Sequence, residues 1–298
     1  MAVFSRSILT LAAAAAIAPA AHAQDADPNQ DIIVEGEGLE EPGMVRDLVQ
    51  ELSDTNRSDV PATRFFDALC LSVSGLNDAG NAYVLQRMED NARSIGLRVQ
   101  EPGCRANALV LIHDAPADLV EQIIEDVPHL LPRETRLHVR RQLADGDQVL
   151  LWHNEEDRNQ GGRRNGTHDT MPGDDQVGGS LNVQASINVN SWPSRNALAF
   201  SRGVVSAAII FDGEIVEGMV IERLADYATM RLLAPQLLPL DGVEPEPASI
   251  VAPFPEEGGP DQLTRFDQAY LSALYSMRPN APATRLAQAV AEEYEGEE

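Results

Sequence analysis

The sequence predicts an α+β protein: an N-terminal α/β domain built on a βαβ unit, followed by a C-terminal domain in which a strand hairpin is packed by helices. Three observations predict it. Residues 68–114 hold two short apolar runs on either side of a segment with helical periodicity. Residues 181–189 alternate apolar and polar side chains. Residues 220–234 and 262–277 repeat apolar positions at helical spacing.

The opening residues place one cation, Arg6, ahead of an apolar run from Ile8 to Ile17 that ends in Ala21-His22-Ala23. A cation, a short apolar stretch and a small-residue site are the parts of an export signal, so residues 1–23 are expected to be removed between Ala23 and Gln24. The run is too short for a bilayer core of about 30 Å, and no later stretch reaches the roughly 18 apolar residues that a span needs. The mature chain is therefore expected to be a soluble periplasmic or secreted protein without a transmembrane segment. Residues 24–43 are acidic, aperiodic and rich in breakers, the composition of a disordered leader. Its apolar island, Ile32-Ile33-Val34, is similar to the segment that follows the signal in TonB-dependent outer-membrane receptors, which bind a periplasmic partner by strand addition. That likeness implies an envelope protein partner. It does not make the chain a receptor, because 298 residues with several helices cannot supply a barrel.

Residues 44–154 read as a small α/β domain with a disulfide. Met44 to Leu52 has the spacing of one short helix. Ala68 to Leu76 is a strand; a helix then starts near Asp78 and stops at Gly96, with Tyr83, Met88, Ala92 and Ile95 on one face. Asn107 to Asp114 is a second strand whose unbroken apolar run suits parallel pairing in a sheet covered on both sides. Two helices, 116–127 and 132–144, precede a third strand, Asp147 to Asn154. Residues 155–180 are polar and glycine-rich and read as a long loop or linker.

Residues 181–280 read as the second domain. Leu181, Val183, Ala185, Ile187 and Val189 line one side of a strand; a further strand, Val204 to Phe211, meets Asp212-Gly213, a turn signal that predicts a hairpin. The helix from Val220 is ended by Pro235, residues 237–260 are irregular, and another helix carries Leu263, Phe266, Tyr270, Leu274 and Met277 on one side. Residues 281–298 form a last helix and an acidic tail.

Chemistry follows from residue types. Cys70 and Cys104 are the two cysteines, and in an oxidising compartment they are expected to pair. With 47 acidic against 22 basic residues the net charge is −25, which excludes a nucleic-acid partner and disfavours anionic membrane surfaces. The chain contains no lysine, so a P-loop lysine, a Schiff base and a Ser-Lys dyad are excluded. A zincin helix needs two histidines four residues apart, yet His113, His129, His138, His153 and His168 have no such partner, and no histidine follows residue 168. The chain also lacks a Gly-x-Ser-x-Gly elbow, a Gly-x-Gly-x-x-Gly turn and an EF-hand loop. No cofactor and no metal ligand are therefore assigned. The remaining catalytic candidates are carboxylates: Glu222 and Asp226, four residues apart on one helix face with Arg223 able to pair with Asp226, and Asp267. Charges at such positions commonly face solvent, opposite the stripe Ile221, Leu224, Ala225, Ala228 and Leu232.

The segment 65–112 together with Leu224–Ala234 and Leu263–Ser276 resembles an uncharacterised family of secreted and periplasmic bacterial proteins with one disulfide. The C-terminal half is distantly similar to a zincin-like family of unknown function, with the metal motif absent from Leu224 to Met230. The resemblance supports Cys70 and Cys104 as a structural pair and implies a degenerate zincin-like scaffold without a catalytic assignment. The expected function is an exported, non-catalytic binding or envelope-associated module; the alternative is a secreted peptidase-like hydrolase using carboxylates or an atypical metal site.

Overall fold

The computed structural model describes residues 42–55, 57–164, 197–238, 245, 247–252, 254 and 259–296. The signal and its Ala23/Gln24 site, the leader with Ile32–Val34, the strand expected at 181–189 and most of the 155–180 loop lie outside the described residues. Residues 40–298 form one compact unit.

Helix α1 (Pro42–Leu52) leads into β1 (Arg64–Phe65), β2 (Leu71–Ser74), α2 (Asp78–Ser94) and β3 (Ala108–His113). Helices α3 (Pro116–Asp126) and α4 (Arg133–Asp145) precede β4 (Val149–Arg158). After β5 (Ser201–Asp212) come the short α5 (Gly213–Val216), α6 (Ile221–Leu233), α7 (Arg265–Ser276) and α8 (Leu286–Gly296). The helix α2 starts where the Asn77 side chain accepts from the Gly80 amide and carries Asp78 in its first turn, favourable contacts for the unpaired amides there.

β5 is the central strand of a five-stranded mixed sheet. One edge pairs antiparallel with β4. The other pairs parallel with β1 at Gly203–Val204 and with β3 from Ala207 to Asp212. β2 lies outside β3, also parallel, joined to it by α2 as the βαβ reading expects.

Side-chain alternation sorts the sheet into two cores. Ala108, Val110, Ile112, Ala207, Ile209 and Phe211 lie in the larger core with α2 and α6, which continues through α7, α1 and α8; Ala208, Ile210, Leu150 and Trp152 lie in the smaller core with Val120, Ile123 and Val139 of α3 and α4. Both faces being covered is why these strands are apolar throughout. The disulfide forms between Cys70, just before β2, and Cys104, in the loop before β3, with the Cα atoms 6.1 Å apart. Among the described residues no helix is long and apolar enough to cross a membrane.

Four expectations need correction. β5 does not belong to a separate domain: it lies between strands from residues 44–154, inside their sheet. Asp212-Gly213 does not turn into a hairpin. Both edges of β5 are already occupied, so no edge remains for a returning strand, and the Asp212 side chain instead accepts from the Glu214 amide at 3.0 Å to start α5. β4 runs four residues into the expected loop, to Arg158, because it pairs with β5 as far as Ser201. Tyr83 is 40% exposed; the buried stripe of α2 is Val84, Met88 and Ala92.

Candidate functional site

Helix α6 carries two of the candidate carboxylates, and its environment differs from the sequence expectation. From Arg223 to Leu233 every residue is buried, so α6 has no solvent face along that length. Asp226 is 1% exposed. Its partner is Arg87 of α2, whose Nε and Nη2 donate to the two carboxylate oxygens at 2.7 and 2.6 Å; Asn91 Nδ2 and the Leu263 amide donate at 2.7 and 2.8 Å. Four hydrogen bonds match the roughly four lone-pair sites of an ionised carboxylate. Arg223, the partner expected along the helix, stacks over the Phe254 ring instead, 5.6 Å from its centroid. Glu222 sits one turn earlier and accepts from Tyr83 Oη at 2.7 Å, a contact that lowers its carboxyl below the ordinary range. Asp226 belongs to the interior and Glu222 to the rim, so the two do not converge on a shared space.

Asp267 is fully buried at the start of α7. Ser249 Oγ, the Ile250 amide and the Thr264 amide and hydroxyl all donate to it, while the Asp267 amide donates to Thr264 Oγ1. This is a capping box, and its pattern is already present in Thr264-Arg265-Phe266-Asp267. Burial raises the Asp267 carboxyl to about 6, against the four donors that hold it down. Asp267 is on a different helix from Glu222 and holds the 249–250 segment against α7.

The histidines are dispersed. His153 lies on β4 with Nε2 3.1 Å from the Leu232 carbonyl of α6, so the neutral ring donates there; burial pushes its pKa down to about 4. His113 Nδ1 accepts from the Ala115 amide, and His129 meets Arg105. His168 lies outside the described residues. Among the described residues no group of three or more His, Cys, Asp or Glu is arranged to hold a metal ion.

Two features had no place in the sequence reading. One is a charge cluster at the end of β4. Arg158 is 1% exposed; its guanidinium donates to both oxygens of Asp67 at 3.1 and 2.7 Å and reaches Glu156 at 2.9 Å, and Arg164 pairs with the same two acids. Arg158 holds the Asp67 carboxyl below its ordinary range. Gly203 makes room for it, since a Cβ there would stand 2.5 Å from Arg158 Nε. This cluster is a fastening between β4 and the segment after β1.

The other is a cleft of about 270 Å³ where the chain leaving α1 and the chain leaving α6 meet the ends of β1, β4 and β5. Its polar lining is Asp54, Arg57, Thr63, Glu155, Arg202 and Gln236, with Val60, Pro235 and Leu238 as the apolar part. Packing raises the Glu155 carboxyl above its ordinary range. Arg202 Nε is 3.0 Å from Asp157 and 4.0 Å from Glu155; Arg57 pairs with Asp59 on the surface. Mixed charges gathered on a concave surface can orient a small polar molecule, and among the described residues of the lining no nucleophile is paired with a base. The sequence held no local signal for it: Glu155-Glu156-Asp157-Arg158 is charged throughout and reads as loop composition, and only pairing with β5 makes it a strand. Compared with known proteins, the chain matches no protein-family model, no curated protein and no solved structure.

Proposed function

We propose that this chain is an exported, non-catalytic binding module of the bacterial envelope, with the cleft lined by Asp54, Arg57, Thr63, Glu155, Arg202 and Gln236 as its ligand site. One observation carries the reading: Asp226 and Asp267, the buried carboxylates that acid-base chemistry would call on, each accept four hydrogen bonds from the fold. A carboxylate so engaged, and 1% exposed or less, holds elements together and faces no space from which a substrate could reach it. Export rests on the signal-like N-terminus, and the disulfide accords with an oxidising compartment. The likeness to one-disulfide secreted bacterial proteins and to a degenerate zincin-like scaffold points the same way, as does Ile32–Val34 as a contact for an envelope partner.

The test has two arms. Cell fractionation of the full chain should place it in the periplasm or the medium, shortened by the first 23 residues. Melting curves of the purified protein against small polar metabolites should give a ligand whose stabilisation disappears in Arg202→Gln. A peptidase or esterase activity that is lost in Asp226→Asn or Asp267→Asn at unchanged melting temperature would replace this reading with the hydrolase alternative.

A further inference from the structure

The cleft owes its charge pattern to one irregularity in the sheet. Along β4, Val149, Leu151, His153 and Glu155 share the face that packs on α6 and the larger core. Along β5, Asn154 faces Ser206 and Glu155 faces Val204, so Val205 is an extra residue, a β-bulge. The bulge inverts the phase of the strand. Ala207, Ile209 and Phe211 lie in the larger core, and Val204 lies there with them although it stands an odd three positions before Ala207. A one-residue slip moves every later side chain to the opposite face. Arg202, two residues before Val204, is therefore carried to the Glu155 side; without the bulge it would share the face of Ala208 and Ile210, under α3 and α4.

The cleft so formed holds two cations and two anions whose bonding is incomplete. Among the described residues Asp54 makes no side-chain hydrogen bond or close ion pair, and Glu155 has Arg202 at 4.0 Å without a hydrogen bond. Gln236 Oε1 is buried without a donor. Arg57 and Arg202 use few of their five N–H groups, and their carboxylate partners, Asp59 and Asp157, lie outside the cleft lining. Exposed pairs of that kind exchange at little cost. The surplus is acceptors for an N–H cation together with donors for a carboxylate, beside the apolar surface of Val60, Pro235 and Leu238. The volume, about 270 Å³, lies just below the roughly 300–1,000 Å³ of drug-sized ligand sites and suits a smaller molecule.

Resting on the reading of this cleft as a ligand site, we propose that its ligand is a zwitterion of amino-acid or dipeptide size: the ammonium lies against Asp54 and Glu155, the carboxylate against Arg57 and Arg202, and the side chain on Val60, Pro235 and Leu238.

Calorimetric titration of the full chain with alanyl-leucine, its N-acetyl form and its C-terminal amide tests this. The free dipeptide binds, and blocking either end weakens binding at least about tenfold. Glu155→Gln removes most discrimination against the N-acetyl form, and Arg202→Gln most discrimination against the amide. Asp54→Asn, at an exposed residue, repeats the first result should Glu155→Gln fail to fold. Equal binding of blocked and free forms overturns the proposal. Binding of a dicarboxylate or a neutral sugar in place of the dipeptide, lost in Arg202→Gln, overturns the zwitterion while leaving the cleft a ligand site. No binding of any of these by a folded protein overturns both.

Discussion

Asp267 shows what a buried carboxylate does when its partners are neutral. Replacing it by alanine leaves the Ile250 and Thr264 amides without an acceptor and should cost about 2–4 kcal/mol. Asparagine preserves the arrangement, because its amide oxygen can take the place that accepts from those amides while its NH₂ donates to Ser249 Oγ. Urea unfolding should therefore rank Asp267→Asn within about 1 kcal/mol of the parent and well above Asp267→Ala. Two buried groups then set opposite pH trends. His153 has its pKa depressed to about 4, so the stability of its neutral form is present above the ordinary value of 6.5 and is lost as the pH falls toward 4. Asp267 is raised to about 6 from 3.8, so its protonation favours the folded state, an advantage gained below about 6 and lost again as the pH rises through that value. Each displacement is worth at most about 3 kcal/mol, and between pH 7 and pH 4.5 the two largely offset. Asp267→Asn removes one of them. Its unfolding free energy should drop over that interval by about 2 kcal/mol more than the parent's.

At the scale of elements, α2 and α6 are joined through Arg87 and Asp226, 139 positions apart in the chain. Arg87 is 26% exposed while Asp226 is 1% exposed, so Arg87→Ala leaves a buried carboxylate without its counter-charge and should cost about 3–5 kcal/mol in urea titration. The pair Arg87→Met with Asp226→Leu should recover most of that loss, since an apolar pair has no charge to desolvate; a double variant as unstable as the single one would show that the charge pair itself is needed for packing. The sequence made α6 legible as a helix with an apolar stripe, and the spacing of Leu263, Phe266, Tyr270, Leu274 and Met277 made α7 legible as another. It could not show that the opposite face of α6 is also covered, because burial there depends on α2 and the 263 segment arriving from elsewhere. Arg223, close in sequence, looked like the partner of Asp226, and only tertiary packing puts Arg87 there instead. The βαβ unit was legible because parallel strands need a helical crossover, which leaves a local pattern. The antiparallel pairing of β4 with β5 spans 42 intervening residues and leaves none, so both the extension of β4 and the bulge opposite Glu155 were hidden.

For the molecule as a whole, β5 decides how unfolding proceeds. It receives β1 and β3 on one edge and β4 on the other, while α1, near residue 42, packs on α8, near residue 296. No cut at the 155–180 segment separates two independent cores: the strand that follows the segment completes the sheet that precedes it. Calorimetry should therefore record one transition for residues 40–298, with calorimetric and van't Hoff enthalpies equal. Two transitions would restore the two-domain division read from the sequence. The disulfide sharpens the test. Cys70 and Cys104 close a 34-residue span across β2, α2 and the loop to β3, and opening that loop should lower stability by about 3–4 kcal/mol through the freedom returned to the unfolded chain. If β5 ties the sheet together, Cys70→Ser with Cys104→Ser moves the whole transition to lower temperature and keeps it single. If the N-terminal part were a domain of its own, the same substitutions would split off a low-temperature transition and leave the melting of α6 and α7 where it was.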